Sequence, residues 1–205
     1  MEIKKQSTIL FLGDCITGAN RNQNDPRDTG EGFVSRISDA LKSYRITVVN
    51  KGVDESKSID LLNRYESDVL DVKPDVVVIY IGMNDVWHHY TKNIYTPNDA
   101  FENNIKTLCE KIKNDLNIPI IMIEPFIIDI TEEHHKMREE LWQKVDILRK
   151  LARRYATEYI ALDGSFASAC IKHDINYYTI DGVHPTNEGH KFIARRILRT
   201  LIVED

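Results

Sequence analysis

The 205-residue chain has three cysteines, Cys15, Cys109 and Cys170. An odd count with wide spacing excludes a complete disulfide framework, and no C-x-x-C zinc pair is present. Long apolar runs are missing too. The longest, 76–81 and 118–123, are far too short to span a bilayer. The N-terminal residues Met1 to Ser7 contain no apolar stretch of secretory-signal length. Positive charge is in deficit, with 27 Lys and Arg against 32 Asp and Glu. A net charge of −5 argues against a nucleic-acid binder, which needs a basic face. No G-x-G-x-x-G or G-K-[ST] phosphate loop exists, since Gly13 stands alone in its block; that discounts a doubly wound nucleotide-binding domain. These absences predict a cytoplasmic chain with no membrane or nucleic-acid partner and no cofactor.

The apolar content is ordinary, at 42%, and the length is enough for one full core. With no linker, repeat or composition break, residues 1–205 read as a single domain. Five short, β-branched-rich runs predict strands over 8–12, 46–49, 75–81, 118–123 and 159–162. Continuous apolar character is expected where both faces of a parallel sheet are covered. Helical stripes lie between them. Phe101, Ile105, Leu108, Cys109, Ile112 and Leu116 form one, started at Thr96-Pro97. Met137, Leu141, Val145, Leu148, Ala152 and Tyr155 form a longer one. Phe192, Ile193, Ile197, Leu201 and Ile202 form the last, after Pro185-Thr186, and weaker patterns cover about 32–43 and 58–72. Strand–helix alternation predicts an α/β fold with a parallel sheet.

In such folds functional groups gather beyond the carboxyl ends of the strands. The segments there are Gly13-Asp14-Cys15, Asn50-Lys51-Gly52, Gly82-Met83-Asn84-Asp85 and Glu124-Pro125-Phe126, with Asp181-Gly182-Val183-His184-Pro185 near the end of the chain. Cys15 is a candidate nucleophile. A thiol needs a base to become thiolate, and His184 is the best candidate, with Asp181 three residues earlier to orient its ring. The Cys15 and Gly52 N–H groups and the Asn84 amide are candidate oxyanion donors. Each has a plainer reading taken singly: a buried cysteine, a surface ion pair, a turn glycine, a loop asparagine. Their joint order at strand ends favours the chemical reading. An activated Cys15 would alkylate fast near neutral pH, in a manner dependent on His184.

The four blocks resemble those of the SGNH (GDSL-type) hydrolases, which carry Ser, Gly, Asn and His in this order. Gly13-Asp14-Cys15-Ile16-Thr17, Gly52, Gly82-Met83-Asn84-Asp85 and Asp181 to Pro185 carry the resemblance over residues 8 to 200. It implies a three-layer α/β/α sandwich of flavodoxin-like type with a five-stranded parallel sheet. It also implies an ester hydrolase working through a covalent acyl-enzyme. A finer resemblance, carried by 123–126, 162–166 and 181–186, is to a bacterial subgroup with acetylxylan-type carbohydrate esterases. That implies a short acyl group, acetyl, on a carbohydrate or other small hydroxylated substrate. A lysophospholipase- or thioesterase-like acylhydrolase is the alternative, as is an impaired binding protein on the same fold. Two departures stand out. Cys15 replaces the family serine, either naturally or as an introduced change. Glu55 stands where the second block often has another glycine.

Other residues are weighed for substrate contact. Asp14 sits beside the nucleophile, and hydrogen bonding that fixes the turn is its other reading. Trp87 could stack on a sugar, line an acyl pocket or pack its loop. Tyr178 is a further substrate-contact candidate. Arg21 and Arg27 suit a substrate carboxylate or a plain polar loop. The pairs His88-His89 and His134-His135 are read as solvated helix-end residues rather than metal ligands, since adjacent histidines point different ways. Cys109 and Cys170 are read as core. A homo-oligomer is compatible with all of this.

Overall fold

The computed structural model describes residues 1–204. Five strands form one parallel sheet: β2 (Thr8–Gly13), β3 (Thr47–Gly52), β4 (Val76–Tyr80), β5 (Ile120–Ile123) and β6 (Glu158–Ile160). Their order is β3-β2-β4-β5-β6. The chain therefore moves outward from β2 in both directions, and a crevice opens where the order reverses, beyond the ends of β2 and β4. Gly13 pairs with Gly52 on one side and with Tyr80 on the other. That register brings the ends of three strands level at the crevice.

Alternate residues along each strand feed two separate cores. Ile9, Phe11, Val78 and Ile121 face one layer, with α2 (Phe33–Leu41) and α9 (Asn187–Leu198). Leu10, Leu12, Val77, Ile79 and Met122 face the other, against α5 (Asn98–Asp115) and the rear of α6 (Glu132–Tyr155). Burial on both sides is why these strands read as unbroken apolar runs. The three-layer α/β/α architecture inferred from the blocks is the one found.

Several boundaries differ from the sequence reading. The last helix stops at Leu198, and Ile202 belongs instead to β7 (Ile202–Glu204), which pairs in parallel with β1 (Glu2–Lys4). A three-residue ribbon is too short to leave a period-two signal. The 58–72 stripe breaks after α3 (Ser58–Asn63) and resumes as a wider turn, Glu66–Leu70. The Gly82–Asp85 block opens α4 (Met83–Lys92) rather than a loop. Gly82, at φ 125°, makes the sharp strand-to-helix transition that an L-residue adopts poorly. No helix among the described residues is long and apolar enough to cross a membrane.

Buried polar groups brace the crevice from below. Glu124, fully buried past β5, accepts hydrogen bonds from Asp163 N–H, the Tyr159 hydroxyl and Arg149 at 3.0, 2.7 and 3.2 Å. Asp85, also fully buried, accepts from Ser58 N–H and hydroxyl at 2.9 and 2.7 Å. That pair ties α4 to α3.

Candidate active site

Cys15 begins a one-turn helix, α1 (Cys15–Gly18). Asp14 caps it, accepting from Ile16 N–H at 3.0 Å. The turn is closed tightly around Gly13, where an added Cβ would lie 2.6 Å from the Tyr80 carbonyl oxygen. The Cys15 side chain is therefore held at the end of β2 by backbone geometry.

His184 arrives from the far end of the chain. Its segment folds back between α8 (Ile175–Tyr178) and α9, with Thr179 bridged to Pro185. Gly182, at φ 87°, permits the tight turn, and a Cβ there would sit 2.6 Å from the Ile128 carbonyl oxygen. Asp181 Oδ1 accepts from the N–H groups of Val183 and His184 at 3.1 and 2.7 Å. Asp181 Oδ2 lies 2.7 Å from His184 Nδ1. With Asp181 ionised, His184 Nδ1–H donates to Oδ2, which leaves the Nε2 lone pair facing Cys15 Sγ at 3.7 Å. Partial burial pushes the Asp181 carboxyl up, but the hydrogen bonds from the His184 backbone and ring and from Val183 outweigh it and hold the carboxyl below its usual range. A stably ionised carboxylate behind the ring supports an imidazolium when one forms.

The thiol differs from the expectation of an activated thiolate. Burial, then the carboxylates of Asp14 and Asp54, push Cys15 up from 9.0 to about 12. Asp14 itself is raised to about 7 by complete burial, which outweighs the Ile16 hydrogen bond and the pull of His184. The nucleophile position is thus electronegative, a setting that disfavours a thiolate.

Asn84, in the first turn of α4, is buried and donates one Nδ2 hydrogen to Ser56 O at 3.2 Å, which leaves the second. Gly52 requires a correction. Its N–H is donated to Asn50 Oδ1 at 2.9 Å, so it is not an open oxyanion donor. Its role is packing: a Cβ would approach Gly18 N to 2.2 Å. Val53 N–H goes to Gly13 O and Ser56 N–H to Val53 O, which leaves the Asp54–Glu55 peptides at the tip of the following turn. Asp54 lines the cavity that holds Cys15 and His184. Glu55 adopts φ 61°, the left-handed region that glycine favours. The absent second glycine was the available signal for this turn.

The cavity around Cys15 and His184 has a volume of about 360 Å³ and is lined by Asn20, Glu31, Arg36, Asp54 and Asn187 among others. Its walls are mostly polar and charged. Asp14 does not line it; it is buried beneath the turn, so it fixes the nucleophile rather than touching substrate. Trp87 lies on α4, edge-on to the His184 ring at 6.3 Å and tilted against His134 at the same distance. It packs behind the base. Tyr178 is not brought to the cleft. It is buried against Phe166 and Phe192 and faces a different cavity. Arg21 donates to the Gly52 carbonyl, and exposed Arg27 meets Asp25 at 3.5 Å. His88 and His134 are buried, contrary to the solvated reading, while His89 and His135 face Glu140 and Asp129 at 2.8 and 2.7 Å. Cys109 is buried in the core on the α5 side, and Cys170 is half-buried against the opposite core.

Residues 11–192 match the GDSL-like lipase/acylhydrolase family. An acetylxylan esterase of Geobacillus stearothermophilus is 30% identical over 98% of this chain and 96% of its own. The crystal structure of that organism's acetylxylan esterase Axe2 superposes with a TM-score of 0.88 at 30% identity, covering 97% and 95% of the two chains. A GDSL-like lipase from Parabacteroides merdae superposes equally well, at 28% identity over 96% of each chain. With its blocks meeting at the same crevice, the chain belongs to the GDSL-like lipase/acylhydrolase family.

Proposed function

We propose that this protein removes a short acyl group, acetyl in the first instance, from a hydroxylated carbohydrate through a covalent acyl-enzyme. The observation that carries the reading is the Cys15–His184–Asp181 relay, with contacts of 3.7 and 2.7 Å at the switch point of the sheet. Cys15 attacks the ester carbonyl as its proton passes to His184 Nε2, and an S–C bond forms. The tetrahedral oxyanion takes hydrogen bonds from Cys15 N–H, the free Asn84 Nδ2 hydrogen and the Asp54–Glu55 turn. Collapse expels the alcohol, which leaves with the proton from His184. Water, deprotonated by His184, then cleaves the thioester and releases the acid. Asp181 supports the imidazolium in both halves.

The cavity favours this substrate class over a lysophospholipid. Polar and charged walls of small volume suit an acetyl group on a sugar, whereas a long acyl chain needs an extended apolar groove. The raised Cys15 thiol supports a second reading, an impaired hydrolase that binds its substrate and turns it over slowly. Hydrolysis of acetylated xylo-oligosaccharides and of short and long acyl esters, by this chain and by Cys15→Ser, tests both. Acetyl release by either form supports the first reading. If neither form cleaves any ester, the hydrolase reading fails. Preference for long chains would move it to the lysophospholipase class.

A further inference from the structure

A second cavity, of about 510 Å³, opens between α7 (Leu162–Ala169) and α9 and shares no lining residue with the Cys15 cleft. Its volume lies within the range of small-molecule sites. Its floor is aromatic, made by Tyr178 and Phe192, and its walls carry Lys172, His173 and Arg196 with the Ser168 hydroxyl. No carboxylate among the described residues lines it, in a chain of net charge −5.

The nearby carboxylates are already engaged elsewhere. Asp174 caps α8 through Asn176 N–H at 2.9 Å, and Glu188 pairs with Lys191 at 2.6 Å. Lys172, His173 and Arg196 have no ion-pair partner among the described residues. The His173 ring is nevertheless held in place, stacked on Tyr177 at 4.5 Å and edge-on to Tyr178 at 5.8 Å. Lys172 and Arg196 are two unpaired cations on one concavity, and like charges repel when close. An anion between them removes that repulsion and gains charge-assisted hydrogen bonds. Tyr178 and Phe192, tilted 55° to each other with centroids 5.4 Å apart, form an angled aromatic wall against which the apolar face of a sugar ring can pack.

We propose that this cavity is a binding site for an anionic sugar, its phosphate or carboxylate held by Arg196 and Lys172 and its ring laid on Tyr178 and Phe192. Phosphate and carboxylate present the same chemistry to these groups, so sugar phosphates and uronic acids are tested side by side. The site is independent of the ester-hydrolysis reading, and its test does not involve turnover.

The full chain is titrated with glucose 6-phosphate, glucuronate and glucose at matched ionic strength, following both the melting temperature and calorimetric heat. Saturable binding of either anionic sugar in the millimolar range or tighter, with none for glucose, is expected, and the arm that binds identifies the anion. The double variant Lys172→Ala/Arg196→Ala should weaken it by at least about ten-fold, as loss of charge-assisted contacts requires. Among the described residues neither side chain has a hydrogen-bond or ion-pair partner, so the variant should keep its fold, which its melting temperature without ligand checks. Cys15→Ala should bind unchanged. The proposal is overturned if no saturable binding occurs, if glucose binds equally well, if the double variant binds like the parent, or if Cys15→Ala abolishes binding and so places the ligand in the catalytic cleft.

Discussion

Replacing Cys15 by serine separates the scaffold from its nucleophile. The thiol is pushed from 9.0 to about 12 by burial and by Asp14 and Asp54. Each unit of pKa is worth about 1.36 kcal/mol, so forming the thiolate at neutral pH costs about 4 kcal/mol more here than in an ordinary cysteine. Serine does not depend on a standing anion; its proton moves to His184 as the attack proceeds. If half of that 4 kcal/mol reaches the transition state, Cys15→Ser raises kcat/KM on a short acyl ester by about 30-fold. The assay is initial-rate acetate release from acetylated xylo-oligosaccharide, with His184→Ala in the serine background as the control. Alkylation gives a second, independent reading. At about pH 7.5 the thiolate fraction falls roughly 1,000-fold when the pKa rises by three units, and the more basic thiolate recovers part of that through its higher nucleophilicity. Iodoacetamide should therefore label Cys15 roughly 50-fold more slowly than free cysteine. Rapid labelling that disappears in His184→Ala, together with no gain from serine, would refute the reasoning. It would show that Cys15 and His184 form a stable ion pair and that the site is tuned to sulfur.

Four other outcomes follow from the same contacts. Asp181→Asn should lower the kcat of the serine form by about 1,000-fold or more, because the amide no longer enforces the Nδ1–H tautomer; steady-state rates with unchanged melting check it. Asp14, raised to about 7, binds its proton more tightly folded than unfolded, so its contribution to stability is gained as pH falls from about 7 towards 4 and lost as pH rises through 7. Asp14→Asn should therefore stabilise the fold by up to about 4 kcal/mol above pH 7 and by little near pH 4, and a pH-independent gain in denaturant melts would contradict this. Gly52→Ala should reduce melting temperature as well as activity, since its Cβ would press on Gly18 N; a fully stable but inactive variant would return Gly52 to the chemistry. Glu124→Ala should cost about 1–3 kcal/mol in thermal or denaturant unfolding, by stranding the Tyr159 hydroxyl and the first N–H groups of α7, while Arg149, half exposed, is rehydrated.

The parallel sheet was legible because burial on both faces leaves unbroken apolar runs, and 8–12 and 75–81 fall within two residues of β2 and β4. The relay was legible because Asp181 and His184 are neighbours in sequence and Cys15 marks a strand end. Failures came where a signal was either short or three-dimensional. The ribbon of β1 and β7 spans three residues a side, and Tyr178 is drawn inward by ring contacts with Phe166 and Phe192, which no local pattern announces.

Gly52 and Glu55 show most clearly how spacing can mislead. A glycine just past a strand suggests an open N–H, but β3 delivers Gly52 with its N–H already turned back to Asn50 and its Cα against α1. The strand end thus has to be closed before the crevice can be lined, and the oxyanion donors proposed above lie in the next turn, where Glu55 adopts φ 61°. Glu55 holds that conformation at a cost of about 1–2 kcal/mol for a residue with a Cβ. Its carboxylate is caught by Lys92 at 2.7 Å, from the last turn of the helix that also carries Asn84 and Trp87. The turn and α4 are therefore tied at two points, Glu55 to Lys92 and Ser56 to Asn84. Such a tie can hold a strained peptide in place where glycine would hold it by default. Lys92→Met should accordingly lower kcat of the serine form by a few-fold at most, the scale of one exposed ion pair, while leaving KM unchanged. Glu55→Gly should recover that rate in the Lys92→Met background, because glycine needs no latch. A Lys92→Met enzyme as fast as its parent would show that the turn keeps its shape unaided.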